Sequence, residues 1–305
     1  MTPEKAVKII GVPSDLGANM RGANMGPAAM RIAGLKKKIE IQGYSVNDIG
    51  DLHVPVRDSL SSQVHQEKFL RPLVDICQNL CQESYNAKKE NSLPIVVGGD
   101  HSIAIGSISG VSQYYRERNE DLGVIWVDAH ADINTPQSSP SGNIHGMPLA
   151  TLLGEGHRDL CNIGGNGAKL KPENVALIGI RTIDDEEKKV LKASGVHYYS
   201  MRSIDERGMF EIVKEAIEKI SAKTHAIHVS FDIDGIDPRY APGVSTPVSG
   251  GLTLREAHLL LEMVHESQKL SSLELVELNP YTDVGAQSAN LSVDLILSAL
   301  GKSIV

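Results

Sequence analysis

Three short segments of the chain place aspartate and histidine at close spacing. They are GGDHS at 98–102, DAHAD at 128–132 and SFDIDGIDP at 230–238. Residues two apart in an extended chain point to the same side, so Asp128, His130 and Asp132 should converge, as should Asp232 and Asp234. Burying several carboxylates together is costly unless cations balance their charge. The three segments therefore predict a metal site.

The candidate ligands indicate which metal would bind. They are four carboxylates and two imidazoles: His101, Asp128, His130, Asp132, Asp232 and Asp234. Carboxylate-rich sites without thiolates suit manganese better than zinc. Six ligands are too many for one ion, whereas bridging aspartates could hold two ions about 3.5–4 Å apart. Two divalent ions balance four aspartates, and a bridging hydroxide would make the cluster anionic, so we expect two Mn²⁺ ions and a cationic substrate.

Each segment taken alone has a simpler explanation, a capped turn or a hydrogen-bonded core group. All three, however, follow apolar runs, at 94–98, 123–128 and 226–232, and this shared position favours a metal site. A two-metal phosphoesterase is a competing hydrolase class. The segments contain neither an Arg/Lys cluster nor a Gly-rich phosphate cradle, and this disfavours the phosphoesterase alternative.

Short apolar runs alternate with amphipathic stretches along the whole chain. The predicted strands lie at 7–12, 94–98, 123–128, 174–180, 196–200, 226–232 and 273–278. The predicted helices lie at 26–38, 65–90, 102–117, 184–194, 208–221, 253–266 and 286–300. Several strands are unbroken apolar runs, the pattern of a sheet covered on both faces. This order predicts a single α/β domain over 1–305, a three-layer αβα fold with a mostly parallel sheet.

Local patterns add detail to this outline. Thr253 and Glu256 have the spacing of a helix capping box. The Gly-rich, polar segment 154–172 predicts a surface loop. Ligands of open α/β sheets bind beyond the carboxyl ends of the strands, and the Asp/His segments follow strands as this rule requires.

Composition limits the classes of partner and compartment. The formal net charge is −8 and no segment is strongly basic, which argues against nucleic acid or an anionic membrane as partner. No apolar stretch approaches the roughly 20 residues of a membrane span, and the N-terminus does not read as a signal peptide. Three cysteines suggest a reducing compartment, so we expect a cytoplasmic protein. Cys77 and Cys81 read as small buried hydrophobes rather than half of a zinc site.

The three segments, with IGVPSDLG at 10–17, GANMGPAAMR at 22–31 and VELNP at 276–280, resemble the ureohydrolase family and within it the arginases. The resemblance covers nearly the whole chain. It implies a parallel eight-stranded sheet, hydrolysis of L-arginine to L-ornithine and urea, and a homotrimer or hexamer. It also implies two ligand sets that share Asp128 and Asp232. One adds His101 and Asp132, and the other adds His130 and Asp234.

The loop ADINTPQSSPSGNIHG at 131–146 resembles the arginase substrate loop. The resemblance implies that Asn134 and Ser141 take the substrate α-carboxylate, with Asn143 nearby. Ordinary loop capping is the alternative, because Asn and Ser are common turn residues. His145 would be a proton shuttle at the mouth of the site, which suits an unperturbed pKa near 6.5, although an isolated loop histidine is usually only a surface residue.

A second segment would hold the α-amino group of the substrate. Asp184 matches the family position for this contact, with Glu187 assisting through water. Arginases commonly read Arg-Asp-Val-Asp here, whereas this chain reads Arg-Thr-Ile-Asp at 181–184, so Thr182 replaces an acidic residue. Asp184 and Asp185 also suit a helix N-terminus, and both roles are compatible.

The remaining assignments also come from the resemblance. Glu277 would anchor the guanidinium group, with Glu274 of the same strand as a rival, and Thr246 would line the pocket. A metal-bridging hydroxide would attack the guanidinium carbon, and Asp132 would pass a proton to the leaving ornithine nitrogen. Another ureohydrolase, such as an agmatinase or guanidinobutyrase, and a non-catalytic arginine-binding protein of the same fold are the alternative functions.

Overall fold

The computed structural model of the chain describes residues 6–66 and 68–303. Its strands are β1 (Ala6–Gly11), β2 (Ser45–Asp51), β3 (Ser92–Val97), β4 (Leu122–Val127), β5 (Val175–Ile180), β6 (His197–Ser200), β7 (Ala226–Asp232) and β8 (Leu270–Val276). Across these described residues the eight strands form one sheet in the order β2-β1-β3-β8-β7-β4-β5-β6. All of its strand pairs are parallel, which confirms the predicted fold class.

Helices cover both faces of the sheet. They are α1 (Gly26–Ile32), α2 (Leu35–Ile41), α3 (Ser62–Gln66), α4 (Leu70–Lys89), α5 (Ala104–Arg116), α6 (Pro148–Leu152), α7 (Arg158–Cys161), α8 (Asp185–Ser194), α9 (Met201–Arg207), α10 (Met209–Ser221), α11 (Leu254–Glu266) and α12 (Gln287–Ala299). Helices α1, α2 and α9–α12 contribute to one hydrophobic cluster. Helices α4–α8 contribute to two clusters on the opposite face.

Strand β4 shows why the central strands read as unbroken apolar runs. All six of its residues are buried. Ile125 and Val127 belong to the core beneath α10–α12, whereas Val124 and Trp126 belong to the core beneath α5 and α6. Successive side chains of a strand point to opposite faces, so a strand buried on both faces needs apolar residues at every position.

Strand β2 was not expected from the sequence. It lies at the edge of the sheet, pairs only with β1 among the described strands, and alternates exposed with partly buried residues. An edge strand loses one neighbour and part of its cover, so its sequence, SVNDIGD, needs no continuous apolar run.

The predicted helices mostly occur, with different boundaries. The stretch 26–38 forms two helices because Gly34 adopts a left-handed conformation, with φ of 87°, between α1 and α2. The stretch 65–90 begins its long helix only at Leu70, after Phe69 with φ of 58°. The capping box of Thr253 and Glu256 is present at the start of α11, as predicted.

The segment 154–172 is not entirely the surface loop that its composition predicts. It contains α7 and buries Leu160, Ile163 and Leu170 against neighbouring elements. Apolar residues spaced among glycines are enough to fix a loop to the core. Cys77 and Cys81 are buried in α4, as expected of small hydrophobes. No helix in the described part of the chain combines the length and apolar character that a membrane span requires.

Candidate metal and substrate site

A glycine turn after β3 positions the first candidate ligand. Gly98 and Gly99 adopt φ of 84° and 80°, and a Cβ at Gly99 would lie 2.7 Å from the carbonyl oxygen of Val12. Glycine is therefore required for the chain to turn this closely. Asp100 then accepts from the backbone N–H of Ser102 at 3.0 Å, which caps the short helical turn that begins at His101.

His101 faces three carboxylates. Its Nδ1 lies 3.2 Å from Oδ2 of Asp128, 3.0 Å from Oδ2 of Asp132 and 3.1 Å from Oδ2 of Asp232. All four side chains are at most 10% exposed. These residues come from the ends of β3, β4 and β7, so the parallel sheet brings them together.

His130 forms a second group beside the first. Its Nδ1 lies 3.4 Å from Oδ1 of Asp128 and 3.2 Å from Oδ2 of Asp234. Thr246 donates to that same Asp234 oxygen at 2.9 Å. Asp128 thus presents one carboxylate oxygen to each histidine, which is the arrangement of a bridging ligand.

The pKa values of several groups in the cluster are raised, so the cluster favours bound protons or cations. Burial opposes a charged ring at His130, yet the charge of Asp234 and the hydrogen bond with Asp128 raise its pKa to about 12. Burial, and then the charge of Asp128, raise the pKa of Asp132 to about 6. Burial and the charge of Asp234 likewise raise the pKa of Asp232. Like charges held this close need cations between them.

The donor set fits divalent cations. Among the described residues, two groups offer ligand atoms that all lie within 4.8 Å of one another: His101, Asp128 and Asp232, and Asp128, His130 and Asp234. Both contain Asp128, and they combine carboxylate oxygens with imidazole nitrogens. A divalent metal site with oxygen and nitrogen ligands is therefore supported.

A hydrogen-bonded chain behind His101 fixes its ring. Nε2 of His101 lies 2.8 Å from Oγ of Ser230, and Ser230 donates to Glu274 at 2.7 Å. The serine oxygen consequently accepts from Nε2–H, which leaves Nδ1 directed at the carboxylates. The ring also stacks on Trp126, with centroids 4.2 Å apart. Such partners typically orient metal-binding histidines.

A cavity of about 410 Å³ opens over this cluster. The predicted site residues that line it are His130, Asp132, Asn134, Ser141, His145, Asp184, Glu187, Asp232, Asp234, Thr246 and Glu277. His101 and Asp128 lie buried beneath it. Asn143 does not line this cavity, because its Oδ1 faces Nζ of Lys68 at 3.4 Å.

Glu277 occupies the floor of the cavity in an unusual backbone conformation. Its φ is 60°, in the left-handed region that non-glycine residues seldom adopt. Its Oε1 accepts from the backbone N–H of His101 at 2.9 Å and lies 3.1 Å from Nδ1 of His145. Its Oε2 is buried and has no partner among the described residues. The free oxygen makes Glu277 an acceptor for a cationic ligand.

The charge of His145 depends on this contact. Burial lowers the pKa of the imidazole, but the hydrogen bond that His145 donates to Glu277 and the charge of Glu277 raise the pKa to about 9. The cation is therefore stabilised by folding. This contribution is complete below the unfolded pKa of about 6.5 and is lost as the pH rises through about 9.

We expect His145 of the metal-free protein to titrate at about 9, and the Glu277→Gln variant to show a clearly lower value. NMR titration of ring-labelled histidine measures both. Glu274→Gln, which removes a carboxylate that does not touch His145, is the control and should leave the value unchanged. An identical titration in the Glu277→Gln variant would show that Glu277 does not set the charge of His145.

The far wall of the cavity joins two loops. Nδ2 of Asn134 donates to Asp184 at 2.9 Å, and Asp184 caps α8 by accepting from the N–H groups of Glu186 and Glu187. Burial, and then the charge of Asp132, raise the pKa of Glu187 to about 8. Asp184 therefore caps α8 and also lines the cavity, while its contact with a substrate α-amino group stays a prediction.

The structure adds residues that the sequence reasoning missed. Ser139 lines the cavity, whereas neighbouring Ser138 bonds to Asn134 at 2.7 Å, and the sequence offers nothing to tell these serines apart. Arg181 lies behind the cluster and donates to several backbone carbonyls, including those of Asp234 and Val248, each at 2.7 Å. Its position directly after β5 was the available clue.

Comparisons with known proteins agree with this geometry. The chain matches the sequence profile of the arginase family over residues 5–301. The arginase of Bacillus caldovelox is 44% identical over 302 residues, which are 99% of this chain and 100% of that protein. Its native structure at pH 5.6 has a TM-score of 0.94 and 44% identity, and the match covers 99% of this chain and 100% of that chain. The structure of Entamoeba histolytica arginase in complex with L-ornithine has a TM-score of 0.89 and 31% identity, covering 98% and 99% respectively. The chain therefore belongs to the arginase family.

Proposed function

We propose that the chain hydrolyses L-arginine to L-ornithine and urea. The observation that carries this proposal is the unpartnered Oε2 of Glu277, a residue that lines the same cavity as the carboxylate–imidazole cluster. A guanidinium group bound by that oxygen would be held beside the cluster. The full-length likeness to arginases supports the same reaction.

We propose two Mn²⁺ ions as the cofactor. His101, Asp128, Asp132 and Asp232 would hold one, and Asp128, His130, Asp232 and Asp234 the other. When bound, the ions would supply Lewis-acid chemistry that makes hydroxide available near neutral pH. Among the described residues Asp128 belongs to both candidate ligand groups, whereas Asp232 belongs to the group of His101.

The residues of the chain would orient the substrate and move protons. Glu277 would hold the guanidinium group in line, and this orientation lowers the entropic part of the barrier. Asp132, whose pKa burial and the charge of Asp128 raise to about 6, would pass a proton to the leaving nitrogen. His145 would exchange protons between the cavity and solvent, since it lines the cavity and is partly exposed.

The amino-acid end of the substrate would lie at the far wall. Asn134 and Ser141 would bind the α-carboxylate, and Asp184 would bind the α-amino group with help from Glu187 through water. Asn143 would not contact the substrate directly, because its Oδ1 faces Nζ of Lys68 outside this cavity. Thr182 also lines the cavity, so the neutral side chain found here stands close to the predicted amino-group site.

Removing two α-carboxylate contacts should weaken substrate binding without removing metal. We expect Asn134→Ala combined with Ser141→Ala to raise KM for arginine at least about tenfold, the effect of losing hydrogen bonds to a charged group. Metal content, measured by elemental analysis, should stay unchanged. Asn143→Ala is the matched control from the same loop and should alter KM much less. Equal KM values in the double variant and the unmodified protein would refute the role of this wall.

A side-by-side assay of urea release tests the proposed reaction. After reconstitution with manganese, arginine should be hydrolysed much faster than agmatine, which lacks the α-carboxylate. Faster hydrolysis of agmatine would instead support another ureohydrolase activity. Binding of arginine without release of urea would support the non-catalytic alternative.

We propose further that residues 1–305 form one arginase-like domain, that the chain assembles as a homotrimer or hexamer, and that it acts in the cytoplasm in arginine metabolism, including the urea cycle. The acidic overall charge of −8 is consistent with a small-molecule enzyme that needs neither nucleic acid nor membrane as a partner.

A further inference from the structure

A second cavity lies at the opposite end of the sheet, where β1, β3 and β8 begin. Its volume is about 570 Å³, larger than that of the cavity over the metal cluster. The first residues of these strands line one side, among them Ser92, Leu93, Leu270 and Ser271. None of the predicted substrate or metal residues lines it. It is therefore a separate site in the fold.

Lys88 supplies the cavity with a positive charge. Its Nζ donates to the carbonyl oxygen of Ser271 at 3.2 Å and lies 5.8 Å from the ring centroids of both Tyr114 and Tyr115. No carboxylate pairs with it among the described residues. Burial lowers the pKa of Lys88 to about 8, as expected for an ammonium group that lacks an acidic partner.

The other shielded lysines of the fold differ from Lys88. Lys8 is 5% exposed and pairs with Glu90 at 2.6 Å. Lys169 has no acidic partner in the part of the chain that the structure describes, but its ammonium donates to three carbonyl oxygens, including those of Cys161 at 2.6 Å and Gly165 at 2.7 Å. Lys88 has one carbonyl acceptor and can donate three hydrogen bonds. Its remaining N–H groups are available to a ligand in the cavity.

Part of the remaining lining offers apolar surface to the body of a ligand, beside polar side chains such as His265 and Gln268. Leu93, Leu270 and the ring of Tyr114 offer apolar surface, and Asn91 offers an exposed amide at the edge. Ligand sites commonly combine apolar walls with a few fixed polar groups. We propose that this cavity binds a small organic carboxylate, whose charge pairs with Lys88 and whose aromatic or aliphatic body packs against Tyr114, Leu93 and Leu270.

The test uses 4-fluorobenzoate as the probe, with the manganese-loaded protein and ¹⁹F NMR as the readout. The probe should bind the unmodified protein, and Lys88→Met should weaken its affinity about tenfold, the effect of losing a charged hydrogen bond. Lys88→Arg should retain most of the affinity. The neutral analogue 4-fluorobenzamide should bind much more weakly than the probe.

Lys89→Met is the matched control. Lys89 is the next residue of α4, is exposed and lies 5.4 Å from the ring centroid of Tyr85, outside the cavity lining. Its loss changes the net charge equally and should leave binding unchanged. Asn91→Asp serves as a second variant in case Lys88→Met does not fold. Asn91 has φ of 55°, which aspartate tolerates, and the new carboxylate should repel the probe.

The binding data distinguish a carboxylate site at Lys88 from non-specific binding of the probe. Weaker binding to Lys88→Met or Asn91→Asp, with unchanged binding to Lys89→Met, supports the site. The proposal is overturned if the unmodified protein does not bind the probe, if both cavity variants bind it as the unmodified protein does, or if Lys89→Met loses as much affinity as Lys88→Met. It is also overturned if the neutral analogue binds equally well.

Discussion

The Asp128→Asn variant should lose both hydrolysis and bound metal. Asp128 presents one oxygen to each histidine and belongs to both candidate ligand groups, so one substitution disrupts both positions. If the ions contribute about 4 kcal/mol to stabilising the transition state, kcat/KM for arginine falls at least about 1,000-fold. Steady-state assays of urea release and elemental analysis of the purified protein measure the two losses.

Asp237→Asn is the control for this substitution. Asp237 is also buried and follows β7, the strand that ends at Asp232. It accepts from the backbone N–H groups of Arg239 and Gly250, at 3.0 and 2.7 Å, instead of facing a histidine. We expect it to lower thermal stability while the folded protein keeps its metal. Full metal occupancy in Asp128→Asn would contradict the assignment of Asp128 as a shared ligand.

The Glu277→Gln variant should retain metal but lose most of its activity. The substitution removes the negative charge that would pair with the guanidinium group in a buried site. Breaking such a pair costs about 3 kcal/mol or more of binding free energy. This corresponds to a kcat/KM for arginine that is lower by at least about 100-fold. Steady-state kinetics with elemental analysis distinguishes this outcome from loss of metal.

Glu274→Gln provides the matched comparison, because Glu274 lies three residues earlier in the same part of the chain and is also buried. Its carboxylate accepts from Ser107 and Ser230 and supports His101 from behind. At saturating manganese we expect a loss of no more than about tenfold. A larger effect from Glu274→Gln than from Glu277→Gln would reverse the assignment of the two residues.

The sequence predicts the fold best where a strand is buried on both faces. Strands such as β4 and β7 are buried at every position, so continuous apolar runs identify them. The apolar pattern does not predict β2, because an edge strand does not need an apolar residue at every position. The break at Gly34 and the late start of α4 depend on left-handed backbone conformations, which helical periodicity does not register.

The sequence predicts the metal cluster of the candidate site better than it predicts the substrate loop. The carboxylates and imidazoles could be found because alternate residues of an extended chain share one side, and because the ends of parallel strands meet at one edge. The loop from Asn134 to His145 has no such regularity. Its serines and asparagines differ only in where the folded loop directs them, as Ser139 and Asn143 illustrate.

The sequence by itself determined the fold class and the set of candidate metal ligands, since both follow from local periodicity and from the cost of burying charge. The tertiary structure decided which buried acidic group is available to bind a cationic ligand. Glu274 and Glu277 are both buried and close in sequence. Serine hydroxyls donate to Glu274, whereas Glu277 lines the cavity and has one oxygen without a partner among the described residues. That difference arises from contacts with residues far away in the chain, and only the folded sheet creates them.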